Sequence, residues 1–296
     1  MSNAVINKLL DILIEHKASD LYLTVGAEPS VRKDEYMIKL KEKKLTQLDV
    51  ATYTQDLLTK EQLAKFESSL ELNISVTDSK ENRFRINFFK QQQHPGIIIR
   101  RIETKVPSIE ELNLPDLYRT MAMEKSGLVI IASPGGSGKT TSMAAMVNYR
   151  NQNGKGHILT IEDPIEFIHH HEACIVTQRE VGVDTFSYSM ALKNALRQRA
   201  DVIGIGEIRD KDAMEHALRF SETGHLCIAT LHSNNASQTL DRMINLFPED
   251  MRRHVLLTLS QNLRGILSQK LIRNVRNERI MVAEILLNEG LIKTLI

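Results

Sequence analysis

Residues 127–146, GLVIIASPGGSGKTTSMAAM, decide how the chain is read. An apolar run ends in a glycine-rich turn, and the turn opens a segment suited to a helix. A phosphate loop needs that order, because backbone amides and the helix N-terminus bind phosphate oxygens. The pattern G-x-x-x-x-G-K-[ST] is met at Gly138, Lys139 and Thr140, but Ser133 stands where its first glycine belongs. Ser133 starts the turn, where a small residue fits, and Pro134 biases its predecessor towards extended backbone. The loop is therefore read as Ser133, Pro134, Gly135, Gly136, Ser137, Gly138, Lys139, Thr140 and Thr141. Lys139 is expected to reach the β- and γ-phosphates of a nucleotide, and Thr140 to ligate Mg²⁺ through its hydroxyl. Gly136 and Gly138 let the backbone approach closely.

Outward from this loop, HILTIE, DVIGIGE, LCIATL and IMVAEILL are further short apolar runs, most of them separated by amphipathic helical segments. Continuous apolar strands of this kind belong to a buried, largely parallel sheet, so residues 128–296 read as an α/β nucleotide-binding domain. Residues 1–102 read differently, as an α+β domain. Val5, Leu9, Ile12 and Leu13 are spaced for a helix, and LYLTVGAEPSVRK alternates as strands do. RFRINFFK and GIIIRRIE are strand-like, and QQQHP between them, with a proline and a following glycine, suits a turn. Thr59-x-x-Gln62 and Ser108-x-x-Glu111 have the spacing of capping boxes and predict two helix starts. Residues 103–127, with Pro107 and Pro115, read as a linker helix region.

The 296 residues carry 38 Lys and Arg against 37 Asp and Glu, and residues 1–100 hold 15 basic and 14 acidic side chains. Neither part has the surplus expected of a phosphate-backbone binder, so no nucleic acid partner is expected. No apolar stretch approaches the roughly 20 residues that span a bilayer, and a cytoplasmic location is expected. Cys174 and Cys227 are far apart and outside any C-x-x-C pair, which predicts reduced, structural thiols.

A phosphate loop alone specifies no reaction. DVIGIGEIRD is an apolar strand ending in Glu207, whose carboxylate is placed to bind Mg²⁺ directly or through water. ILTIEDPIEF supplies Glu162, Asp163 and Glu166, acids able to polarise an attacking water or simply to end a strand. GHLCIATLHS sets His225 and His232 seven residues apart, flanking a strand, with His232 a candidate sensor of the γ-phosphate. Either histidine alone also reads as a structural hydrogen-bond partner.

These segments, in this order, resemble the secretion-ATPase superfamily and, within it, the type IV pilus retraction ATPases of the PilT and PilU kind. ASPGGSGKTT matches the Walker A box, TIEDPIEF the Asp box, DVIGIGEIRD the Walker B box and ETGHLCIATLHS the His box. The similarity runs from ASDLYLTVGAEPS to EILLNEGLIKTLI, and IIRRIET and CIVTQREVGVDT are closer to PilU. The resemblance implies a PAS-like N-terminal domain, a RecA-like ATPase domain and a homohexameric ring with ATP sites between neighbours. It implies Glu166 as catalytic base, Glu207 as the Walker B acid, and His225 and His232 at the nucleotide. Arg83, Arg85 and Arg100 match arginines that reach the nucleotide from the N-terminal domain. The four-cysteine metal motif of the assembly ATPases is absent from the sequence, which favours retraction.

The function so implied is an ATP-hydrolysing motor of pilus retraction and twitching, accessory to a PilT-like motor. It would work with an inner-membrane pilus base protein, at the cytoplasmic face of that membrane. A nucleic-acid translocase on the same fold and a non-hydrolysing, ATP-binding ring subunit are the alternatives. LIKTLI, residues 291–296, stands where retraction ATPases carry AIRNLI, and relatives continue beyond it, so a truncated or shortened chain is expected.

Overall fold

Side chains that alternate in and out of a sheet shape the first part of the chain. The computed structural model describes residues 4–33, 36–78, 80, 82–102, 105–275 and 279–296. The chain divides into two units, Met1–Thr104 and Lys105–Ile296. The first unit runs α1 (Ala4–Glu15), β1 (Asp20–Thr24), β2 (Ser30–Lys33), β3 (Tyr36–Lys39), α2 (Gln47–Leu57), α3 (Lys60–Ser69), β4 (Glu71–Thr77), β5 (Arg83–Gln91) and β6 (His94–Ile102). The strands form one antiparallel sheet in the order β3-β2-β1-β6-β5-β4. Phe84, Ile86, Phe88, Ile97 and Ile99 point to one face and pack with Leu9, Leu13 and Phe66 of the helices. Arg83 and Arg85 alternate with the buried positions and take the other face.

Two local readings change. The hairpin turn between β5 and β6 is made by Gln92 and Gln93, with φ of 48° and 67°, and not by the proline and glycine. Pro95 and Gly96 lie within β6, opposite Lys90 and Phe89, and a Cβ on Gly96 would come within 2.6 Å of the Phe89 ring. The Thr59–Gln62 capping box forms and starts α3. The Ser108–Glu111 box also forms both of its bonds, at 2.8 and 3.1 Å, but yields only a turn. Asn113 there adopts φ 51° ahead of Pro115, which has no N–H to continue a helix.

The second unit continues with α4 (Leu117–Ala122), β7 (Gly127–Ser133), α5 (Lys139–Asn153), β8 (Gly156–Glu162), β9 (Cys174–Glu180), α6 (Tyr188–Ala195), β10 (Val202–Ile205), α7 (Lys211–Glu222), β11 (Leu226–His232), α8 (Ala236–Asn245), α9 (Glu249–Asn262), β12 (Leu263–Arg273), β13 (Arg279–Leu287) and α10 (Gly290–Leu295). Its sheet has the order β13-β12-β7-β11-β10-β8-β9, parallel except for β13. All seven residues of β7 are buried, as a strand covered on both faces requires. Leu128, Ile130 and Ala132 pack into one face's core, Val129 and Ile131 into the other. The segment 103–127, read as a linker helix region and described from residue 105 on, supplies Ile109, Leu114, Tyr118 and Met121 to that second core. Strands β9 and β12 were not among the apolar runs of the sequence.

Candidate functional site

The parallel strands deliver their C-terminal ends, and the loops that follow, to one side of the sheet. Ser133 closes β7 fully buried, its backbone paired with His232 of β11 and its hydroxyl donating to the Pro134 carbonyl at 2.9 Å. It is a strand residue, so the pattern's first position makes no demand for left-handed backbone here. Gly136 and Gly138 do, with φ of 73° and 78°. Gly138 then caps α5, whose first turn presents Lys139, Thr140 and Thr141.

Gly136, Lys139 and Thr140 line a cavity of about 230 Å³ with Glu162, Asp163, Glu166, Tyr188, Glu207, Arg209 and His232. Lys139 is buried, and burial holds its ammonium below the ordinary lysine range. Its Nζ donates to the carbonyls of Ser133 (3.3 Å) and Pro134 (3.5 Å) and lies 3.1 Å from His232 Nδ1. An ammonium has no lone pair, so Nδ1 accepts, and the imidazole carries its proton on Nε2. That nitrogen stands 3.0 Å from Glu207 Oε1. Glu207 Oε2 accepts from Arg209 Nε at 3.0 Å, and Arg209 Nη1 reaches Asp163 Oδ2 at 3.1 Å. A continuous polar line thus joins the phosphate loop to the ends of β8, β10 and β11.

Glu162 stands beneath this line. It is 5% exposed and accepts from Thr160 Oγ1 (2.6 Å) and Gln178 Nε2 (3.2 Å). Burial pushes its carboxyl up to about 7, against the effect of those two donors. Glu166 is exposed at the cavity's rim, where its carboxylate is free to meet a water.

A second cavity, of about 480 Å³, is lined by Ser137, Gly138, Thr141 and Ser142 of the same loop and helix. Leu112, Leu114, Gln269, Leu271, Arg279 and Met281 complete it. Its apolar walls and few polar groups suit a nucleoside beside the phosphates. Gln269 is a residue the sequence reading missed: nothing in LRGILSQKLIR signals that β12 lies beside β7. The same holds for Arg209, Tyr188 and Gln178.

His225 is not brought to the phosphate loop. It precedes β11 while His232 ends it, and seven extended residues separate the two by roughly 23 Å. Its Nδ1 meets Thr223 Oγ1 at 3.0 Å, and it lines a different cavity with Lys125, Arg150 and Arg199. In the first unit, Arg85 and Arg100 are direct cross-strand partners and Arg83 is two residues along the same face. Arg100 Nε donates to the buried Asp20 at 2.7 Å, a partner the sequence reading did not foresee. Cys174 and Cys227 are buried free thiols. No helix among the described residues is long and apolar enough to cross a membrane.

The family model described as type II/IV secretion system protein matches residues 2–288. The chain belongs to this family. Among curated members of the type II/IV secretion family it is 45% identical to the "Type IV pilus ATPase PilU" of Pseudomonas aeruginosa, over 98% of this chain and 76% of that protein. It is 38% identical to the "Type IV pilus retractation ATPase PilT" of the same organism, over 98% of this chain and 85% of the other. The fold superposes on a crystal structure titled as the pilus retraction motor PilT with bound ADP, with a TM-score of 0.93 and 39% identity. That alignment covers 98% of this chain and 85% of the solved one. Within the secretion family the chain is thus of the PilT/PilU kind and nearer in identity to this PilU than to this PilT.

Proposed function

We propose that this chain is an ATP-hydrolysing motor subunit of type IV pilus retraction, PilU-like in acting as an accessory to a PilT-like motor. One observation carries the reading: a glycine loop, a lysine, a histidine and four acidic side chains face a single cavity at the C-terminal edge of a parallel sheet. ATP lies with its phosphates on the backbone N–H groups of residues 135–139 and its nucleoside in the cavity lined by Leu112 and Met281. Phosphate oxygens displace the Ser133 and Pro134 carbonyls as partners of Lys139 Nζ, because a charge-assisted bond is the stronger one. Glu166 takes the proton of the attacking water, which stands at the cavity rim. His232 holds its Nε2 proton towards Glu207 and its Nδ1 towards Lys139, so it registers whether Lys139 has turned to phosphate.

A hydroxyl at Thr140 and a carboxylate at Glu207 are hard oxygen donors lining one cavity, a set that fits Mg²⁺. The ion would neutralise negative charge on the phosphates during transfer. Glu207 already shares both carboxylate oxygens with His232 and Arg209, which suits contact through water.

In this proposal the first unit is a PAS-like domain, the second a RecA-like one, and the working form a homohexamer. Arg83, Arg85 and Arg100 complete an ATP site from the first unit, and the ring meets an inner-membrane pilus base protein on the cytoplasmic side. Steady-state ATPase activity of the purified chain, with and without DNA, tests the central claim. Turnover indifferent to DNA is expected. No turnover, or turnover that requires DNA, overturns it.

A further inference from the structure

The phosphate loop forms the wall between the two cavities, and one buried amide on β12 holds that wall. Gln269, 1% exposed, donates from Nε2 to the Ser137 carbonyl at 2.7 Å. Its Oε1 lies 3.3 Å from the hydroxyl of Tyr118, which is fully buried in α4. A carbonyl oxygen demands a donor, so the orientation of the Gln269 amide is fixed, and the Tyr118 hydroxyl donates to the oxygen that remains. Two elements remote in sequence thus converge on one peptide group of the loop.

The consequence follows from peptide geometry. The Ser137–Gly138 bond is trans, so its C=O and N–H point in opposite directions. Drawing the Ser137 carbonyl to Gln269 turns the Gly138 N–H away from β12. Gly138 has no Cβ and sits at φ 78°, so its own backbone offers little resistance to a flipped peptide. Gln269 supplies what the glycine lacks. A Cβ at Gly138 would stand 3.5 Å from Gln269 Nε2, so the amide closely abuts the loop it holds.

We propose that Gln269, steadied by Tyr118, is a positioning residue for phosphate binding: it locks the Ser137–Gly138 peptide with its N–H presented to the nucleotide's phosphates. This rests on the reading that the loop binds nucleotide. It adds that the loop's shape is set by the strand beside it, not by its glycines alone.

Calorimetry of the full chain with ADP and with inorganic pyrophosphate tests it. Pyrophosphate meets the loop but not the nucleoside cavity. Gln269→Met keeps the side chain's length and removes the donor; affinity for both ligands is expected to fall by about tenfold, the effect of losing one well-made hydrogen bond. Tyr118→Phe should lower both by a smaller common factor, roughly threefold, and it decides the matter if Gln269→Met does not fold. Unchanged pyrophosphate affinity in a folded variant overturns the proposal, whatever happens to ADP; a loss confined to ADP would make Gln269 merely a wall of the nucleoside cavity. A parent chain that binds neither ligand would instead refute the nucleotide-binding reading itself.

Discussion

Lys139 has only neutral partners among the hydrogen bonds it makes: two carbonyls and an imidazole nitrogen. A phosphate offers charged oxygens to the same ammonium, and hydrogen bonds to charged groups contribute about 1.5–3 kcal/mol. Lys139→Ala is therefore expected to weaken ADP binding by about 10- to 100-fold, measured by calorimetry; equal affinity would remove the loop from the mechanism. Glu162 makes a prediction about pH. Its carboxyl is raised from 4.5 to about 7, so the folded chain holds a proton that the unfolded chain releases between those values. Stability from this group is complete below pH 4.5 and lost as pH rises through 7, up to roughly 3 kcal/mol by linkage. Glu162→Gln, neutral at every pH, should raise Tm by several degrees at pH 8, with the gain shrinking steadily towards pH 5. A Tm difference that does not change with pH would show that the carboxyl is not kept protonated by its burial.

At the scale of elements, the end of β10 is tightly packed against β8. A Cβ on Gly206 would stand 2.9 Å from the Tyr188 hydroxyl and 3.1 Å from both Glu162 Cα and the Ile161 carbonyl. Two of those three neighbours are backbone and cannot swing aside. Gly206→Ala is expected to cost about 1–3 kcal/mol by overpacking and, because Glu207 is the next residue, to depress ATPase activity with it. Thermal melts and turnover measured on one preparation would show both effects, and a variant with parental Tm and rate would mean that β8 and β10 separate easily. This element also shows what the sequence made legible. GLVIIA, HILTIE, DVIGIGE and LCIATL announce themselves because strands covered on both faces are apolar throughout. Strand β9 lies at the sheet's edge with Ile175, Thr177 and Arg179 turned outward, and β12 carries Arg264, Ser268, Gln269 and Lys270 among its apolar residues. Their polarity hid them. The brace from Gln269 to Ser137 joins residues 132 apart and leaves no local pattern. His225 and His232 were legible as a pair flanking a strand, but an extended strand carries its two ends to opposite poles.

For the whole molecule, the proposed ring raises the question of whether one neighbour completes another's site. Arg85 and Arg100 face each other across β5 and β6 with Arg83 beside them, a concentration of guanidinium groups on one sheet face in which Arg100 is paired with Asp20. Such arginines contribute on the order of 10³ to 10⁵ in rate in other NTPases. Arg100→Ala and Glu166→Gln are each expected to slow hydrolysis by roughly 10²-fold or more. If the arginine acts across the ring, mixing the two variants restores some intact sites, and activity should exceed that of either pure preparation. Mixed rings of confirmed mass with no such rescue would place the arginine's effect within its own chain. The order of strands in the second sheet bears on how such a subunit is made. Strand β7, which leads into the phosphate loop, is flanked on one side by β12, so a ribosome must synthesise some 130 further residues before that flank is covered. Until then the nascent loop has no Gln269 to hold it and no second cavity beside it. A chain stalled before residue 263 would present to the cell's chaperones an uncovered parallel strand and a phosphate loop without its brace.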